Sequence, residues 1–453
     1  MKKTKRNILL LMFGILVYAC KKDAFLAVKP DNSLLVPKSV ADYQLILDAD
    51  FVMNGASVGL TPDLLLTGED NYYIPASVFD VSLNQYFKNT YVWADKPYPT
   101  QTVDGWNRLY TCIYYSNFVL EGLPAIAGDT SSSWLNANGS ALFYRAHCFY
   151  HLAQTFAPAY DKTTSATDPG IPLRLQSDVN EKMTRATVAQ TYDRIIADLQ
   201  LARTLLPARQ PTYLTRPSQS ACMALLARTY QTMQQYDSAG KYADAALQLQ
   251  NNLLNYNDYP VASFPFPRFS QEIIFHSIAS IGANNYGNID SVLYNSYDSN
   301  DLRKPLFFKL SNKRNKFIGS YDGTARLFGG LATDEMYLIR AECFARAGNT
   351  SAAMNDLNSL LINRYKTSTF IPYTATTASE ALDKILTERR KELCFRGLRW
   401  TDARRLNKEG ANIILQRSAN GQSYQLMSNS AKWVWPVPDD VLSFNPGMAQ
   451  NPR

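Results

Sequence analysis

Apolar residues return every three to four positions in eight separate stretches of this chain, a period that helices satisfy and strands do not. In Trp106–Leu120 they fall at positions 106, 109, 110, 113 and 118–120, after which Gly122 and Pro124 stop the helix. The same spacing predicts helices over Ala141–Phe156, Val188–Leu206, Ser220–Met233, Asp237–Leu249, Asp334–Ala347, Ser351–Tyr365 and Ala378–Phe395. Turns as short as Gln234-Gln235-Tyr236 and Gly348-Asn349-Thr350 join neighbouring segments, which makes antiparallel hairpins. Two hairpins overlay with identical spacing: Ala227, Tyr230, Ala239, Ala243 and Ala246 on Ala341, Phe344, Ala353, Leu357 and Leu360. This is the tetratricopeptide pattern, in which a small residue lets the second helix approach the first. Their wide separation in the chain argues against a simple tandem array. The expected fold is mostly α, a helical body with tetratricopeptide-like hairpins and long irregular loops.

Two aromatic, polar stretches interrupt the helices, about 50–102 and about 256–331. Long irregular segments on a rigid scaffold are where binding sites usually reside. Trp93 is the first candidate ligand platform, with Tyr91, Tyr98, Tyr72 and Tyr73 next; Tyr86 and Phe87 lie in the same stretch, and Tyr286, Tyr294, Tyr297 and Tyr321 in the second. A ring with a flat apolar face and a polar tip suits a wet binding surface.

The amino terminus is a positively charged start, an apolar run from Ile8 to Val17, and Ala19 before Cys20, which is a secretion signal. Ten or so apolar residues are too few to span a bilayer, which takes about twenty. Val17-Tyr18-Ala19-Cys20 resembles a bacterial lipobox, so Cys20 is the expected lipid attachment point. Two or more acyl chains anchor stably where one does not. Residues 1–19 are thus the signal, 20–37 a polar tether, and 38–453 the folded body. Without Lys2, Lys3, Lys5 and Arg6 the formal charge of +7 falls to +3, too little for gripping a phosphate backbone, so nucleic acid is not an expected partner. Cys112, Cys148, Cys222, Cys343 and Cys394 form no C-x-x-C pair and read as inert buried thiols.

No catalytic constellation is complete. His147 and His151 share a helical face at zinc-ligand spacing, but no Glu follows the first, and His276 is the sole other histidine, so no metal is expected. Glu69-Asp70 or Glu388 and Glu392 are conceivable acid–base pairs, yet Arg389, Arg390, Lys391, Arg396 and Arg399 surround the latter and point to mutual ion pairing. The basic run around residue 400 is broken by Glu388, Glu392 and Asp402 and reads as a solvated or self-paired face. Asp298-Ser299-Asn300-Asp301 is oxygen-rich but lacks the spacing of a calcium loop. No cofactor motif occurs, and no Gly-x-Ser-x-Gly elbow or phosphate-binding loop.

The run from Glu388 through Leu393-Cys394-Phe395-Arg396-Gly397 to Arg399-Trp400-Thr401-Asp402-Ala403-Arg404-Arg405 resembles the SusD/RagB family, departing from it at Arg396, where an acid is usual, and Ala403, where leucine is usual. Trp106–Leu123, Phe143–Phe156 with Ile171-Pro172-Leu173, Ala186–Pro207 and Trp435-Pro436-Val437-Pro438 are similar to the same family in the same order. The resemblance implies a single SusD-like domain, with an N-terminal part over about 38–255 and a C-terminal part over about 256–453. It further implies a non-catalytic lipoprotein on the extracellular side of the outer membrane. Such a protein captures oligosaccharides for a SusC-like TonB-dependent transporter; a RagB-like peptide-binding lid is the alternative, and a surface hydrolase a third reading. Asp23 is the only acid directly after Cys20, where surface-exported relatives often carry several.

Overall fold

The computed structural model describes residues 37–453 apart from 57, 101, 127–130, 210–211 and 312, so Cys20, the signal and nearly all of the tether lie outside the described residues. Val40–Arg453 packs as one compact unit. Its first part holds α1 (Val40–Leu47), α2 (Asp50–Met53), α3 (Asp63–Gly68), α4 (Ala76–Ser82) and α5 (Gln85–Tyr91). The long helices α6 (Asp104–Gly122), α7 (Ser132–Phe156), α8 (Val188–Leu205), α9 (Gln219–Thr232) and α10 (Tyr236–Leu249) follow. After a long excursion that contains α11 (Ser291–Asn295) and α12 (Arg303–Phe307), the chain resumes with α13 (Thr333–Arg346), α14 (Thr350–Leu361), α15 (Ala378–Glu392), α16 (Arg399–Lys408) and α17 (Asp439–Phe444). Among the described residues no helix is long and apolar enough to cross a membrane.

Local chemistry sets the helix ends. Ser131 accepts from the Trp134 amide, Ser218 from Ala221 and Thr377 from Glu380, and Thr187 and Gln190 form a reciprocal capping box. The Ser131 cap starts α7 well before Ala141; the polar Asn136, Asn138 and Ser140 had masked that stretch. Helix α15 stops at Glu392, because Phe395 and Gly397 adopt φ of 61° and 72°, left-handed values that break the helical path before α16 begins.

Neighbouring helices stack in the order α6, α7, α8, α9, α10, α13, α14, with α15 also against α13. The two hairpins α9–α10 and α13–α14 are therefore stacked neighbours, which corrects the expectation that their separation excludes a tandem arrangement. The excursion between them leaves the stack after Leu249 and returns at Thr333. Ala227, Ala239, Ala243, Ala246, Ala341 and Ala353 are all wholly buried at these crossings. At Gly240 an added Cβ would sit 3.0 Å from Cys343 Cβ, so the glycine sets how closely α10 meets α13.

The stretch about 50–102 is not irregular: it forms α2–α5, each of one or two turns and too short to show a period. The first stretch adds β1 (Tyr72–Tyr73), β2 (Pro169–Pro172) pairs with β3 (Arg185–Thr187) farther on, and the second stretch forms short antiparallel ribbons: β4 (Ile273–Phe275) with β10 (Leu331–Ala332), β5 (Ile278–Ala279) with β9 (Leu327–Phe328), β6 (Asn288–Ile289) with β1, and β7 (Phe308–Ser311) with β8 (Arg314–Phe317). The pairing of β1 with β6, and a bridge from Thr61 to Ala279, fasten the two stretches together.

Candidate functional site

Three of the five rings picked out as platforms are interior. Trp93, Tyr91 and Tyr72 are 1%, 0% and 3% exposed, so none offers a face to a ligand. They enclose the Arg417 guanidinium, which lies 3.9 Å from the Tyr91 ring, 4.8 Å from Trp93 and 4.9 Å from Tyr72. Arg417 also donates to the Thr67 carbonyl at 2.9 Å and to that of Glu69, while Trp93 Nε1 donates to the Gly68 carbonyl at 3.2 Å. The three rings thus pin the end of α3 to the strand Leu415–Ala419, which carries Arg417. Tyr98 is half-buried and donates to the Pro436 carbonyl at 3.1 Å, and Tyr73 is exposed beside Asn288.

A cleft of about 610 Å³ opens instead where the two aromatic stretches meet. Asn84 at the cap of α5 and the half-buried Tyr86 and Phe87 line it, as do Ser280, Ile281 and Arg326 from the second stretch. Asp63 from α3 and Asp104 and Arg108 from α6 also line it. Tyr98 stacks behind Tyr86 with centroids 6.1 Å apart and planes 22° from parallel, which fixes the Tyr86 ring from the rear. Phe87 packs on Tyr286 at 5.9 Å, joining α5 to the second stretch. Tyr86 and Phe87 sat in the sequence beside the rings chosen first; no local signal separated them from Trp93, because the burying partner, Arg417, is remote in the chain.

The polar groups of the cleft are held in place. Tyr86 donates to the Asp63 carboxylate at 2.9 Å. Burial pushes the Asp63 carboxyl up to about 6 despite that bond. Arg108 donates to the Val58 carbonyl at 2.5 Å and pairs with Asp104 at 3.2 Å. Arg326 donates to the Ala56 carbonyl and pairs with Asp322 at 3.0 Å. Both guanidiniums are thereby moored to one loop, an arrangement suited to bonding hydroxyls or acidic groups of an elongated ligand. No histidine, cysteine or lysine is among the cleft's lining residues.

Of the other candidate acid–base groups, Asp70, Glu388 and Glu392 are spent on the fold. Asp70 takes a two-pronged bond from Arg399 at 2.7 and 2.9 Å, which holds its carboxyl far below the usual range against the effect of burial. Glu69 is fully buried, and burial lifts its pKa to about 8. Glu388 and Glu392 are ion-paired as expected, but chiefly over long range: Arg303 reaches them at 2.6 and 3.0 Å, and Arg364 meets Glu392 at 2.7 Å. The basic run near residue 400 is likewise not a solvated face. Arg389, Arg396, Arg404 and Arg405 are buried, and Arg389 and Arg405 both pair with Asp402. His147 and His151 face each other at 3.3 Å in the core, where burial lowers both pKa values, to about 3 for His147. Glu272, Asp334 and Glu392 converge, but Arg364 and Arg396 supply the positive charge that a cation would bring. Asp298 caps its own turn, accepting from the Asn300 amide at 2.7 Å.

Comparison with known proteins identifies the family and the fold. A family profile described as starch-binding and associating with the outer membrane matches residues 24–231, and one described as the SusD family matches residues 227–453. No curated protein sequence matches the chain. Among solved structures, a SusD superfamily protein from Bacteroides thetaiotaomicron is 20% identical, with 92% of this chain and 100% of that chain covered and a TM-score of 0.73. A SusD superfamily protein from Bacteroides vulgatus is 22% identical over 92% and 99% of the two chains, also at 0.73. A laminarin-binding SusD-like protein is 17% identical over 92% and 100%, at 0.68. At these identities the likeness is one of fold.

Proposed function

Because the chain belongs to the SusD family, we propose that it is a non-catalytic, outer-membrane-associated glycan-binding protein whose cleft captures oligosaccharides and passes them to a SusC-like TonB-dependent transporter. The observation that carries this reading is the cleft itself, in which rigid aromatic edges stand beside anchored hydrogen-bonding groups. A sugar lays its C–H face on Tyr86 or Phe87 while Asp63, Asn84 and the two arginines bond its hydroxyls. Tyr98, behind Tyr86, and Tyr73, outside the cleft, are in this reading supporting and peripheral rings.

Cys20 moors the protein to outer-membrane lipid through its acyl chains, and the folded body faces outward. Metabolic labelling with palmitate tests the anchor: incorporation into the wild type and none into Cys20→Ala is expected, and equal labelling of the two overturns it. A glycan array and a peptide library applied to the unacylated protein test the cargo. Retention of oligosaccharides supports the reading, and retention of peptides alone replaces it with peptide import.

A further inference from the structure

We propose that the cargo is an anionic glycan, and that the β7–β8 hairpin is the surface on which its carboxylate or sulfate groups first dock. The proposal rests on the glycan-binding reading of the cleft and adds the charge of the ligand.

From Leu302 to Tyr321 the chain contains no Asp or Glu, yet it carries Arg303, Lys304, Lys309, Lys313, Arg314 and Lys316. Arg303 is used internally, paired with Asp301, Glu388 and Glu392. The other five make no ion pair among the described residues; Lys304, Lys309 and Arg314 contact only neutral oxygens and a ring. Register concentrates the charge. Lys309 stands directly opposite Lys316, and the two-residue period of a strand puts Arg314 on their face. Phe308 and Phe317 occupy the other face, and Phe317 stacks on Phe395 at 4.9 Å, so the hairpin cannot turn to hide its cations. Like charges directly opposed on a ribbon destabilise it. A chain keeps such an arrangement without penalty when an external anion lies across it.

The hairpin adjoins the cleft. Arg314 donates to the Tyr286 carbonyl at 2.7 Å, and the Tyr286 ring packs on Phe87, which lines the cleft. Inside the cleft Arg108 and Arg326 are already paired with Asp104 and Asp322, so the uncompensated positive charge lies on the hairpin. The near-neutral charge of the remaining chain makes this a local attractor for a polyanion, effective within about 8 Å at physiological salt.

The test compares the full unacylated chain (Cys20→Ala) with the same chain carrying Lys309→Gln, Lys313→Asn and Lys316→Gln. Asparagine tolerates the left-handed backbone at position 313, where φ is 59°. Oligogalacturonides, sulfated galactan oligosaccharides, neutral laminarin oligosaccharides and phosphatidylglycerol vesicles are titrated at about 50 and about 500 mM salt. At low salt the parent is expected to prefer an anionic glycan. That affinity should fall about tenfold in the triple variant and converge with the parent's at high salt, with neutral-glycan binding equal in both proteins. Equal affinity for charged and neutral glycans, an unchanged triple variant, or hairpin-dependent binding to vesicles alone would each overturn the proposal and leave the cleft reading standing. Loss of binding to every glycan tested would sink both.

Discussion

Removing the Trp93 ring takes a buried indole out of the cage around Arg417, whereas removing the Tyr86 ring strips a half-buried wall of the cleft. Trp93→Ala is expected to cost about 3–5 kcal/mol of stability, and Tyr86→Ala about 1–2 kcal/mol. Denaturant unfolding of the two variants checks this, and equal losses would contradict the assignment. Asp63 gives a pH signature. Its folded pKa of about 6 lies above the ordinary 3.8, so the folded state favours the neutral carboxyl. Below pH 3.8 the group is neutral in both states and costs nothing; as pH rises through 6 the fold must ionise a buried acid, a cost approaching about 3 kcal/mol. Asp63→Asn should therefore raise stability at pH 8 and leave it unchanged at pH 3.5, read from melting curves at both values. At this scale the sequence was least informative. It marked where aromatics are dense, but whether a given ring lines a cleft or encloses an arginine depends on Arg417, a residue from the other end of the chain.

Helices were the legible elements, because each long one repeats its apolar spacing over three or more turns and several begin at a side-chain cap or end at a glycine. Observed limits differ from the expected ones mainly where polar residues on an exposed turn hid a start, as before Ala141, or where a left-handed residue forced an early stop, as at Phe395. Stacking of α9–α10 on α13–α14 was illegible, since nothing local says that the chain between them returns to its point of departure. Gly397 sits at the junction of α15 and α16 with φ of 72°, where an added Cβ would approach Thr61 Cγ2 to 2.7 Å. Gly397→Ala is expected to cost about 1–3 kcal/mol, while an alanine at the exposed turn residue Gly410 meets nothing within 4 Å and tests the backbone contribution alone. Arg303 fastens α12 of the excursion to α15 through Glu388 and Glu392. Arg303→Met leaves three buried carboxylates without that partner and should destabilise the fold by about 3–5 kcal/mol. A loss below about 1 kcal/mol in urea unfolding would contradict this account of the network.

At the scale of the whole molecule, a helical stack supports two short-element regions that close on each other, and the cleft lies at their seam. The C-terminal motif identified the family from sequence because its residues are also the buried contacts of the fold: Trp400 is wholly buried against Trp433 and Trp435, and Arg389 and Arg405 converge on Asp402. The cleft has no such signature, being assembled from Asp63, Tyr86, Arg108, Ser280 and Arg326, which are far apart in the chain. The most direct measurement is calorimetric titration of an oligosaccharide panel into the unacylated chain and its Tyr86→Ala variant, with product analysis of each mixture. The account predicts that at least one glycan binds, that Tyr86→Ala weakens it about tenfold or more with the protein still folded, and that the glycan is recovered intact. Undiminished binding by Tyr86→Ala, or newly formed reducing ends in the mixture, would contradict it.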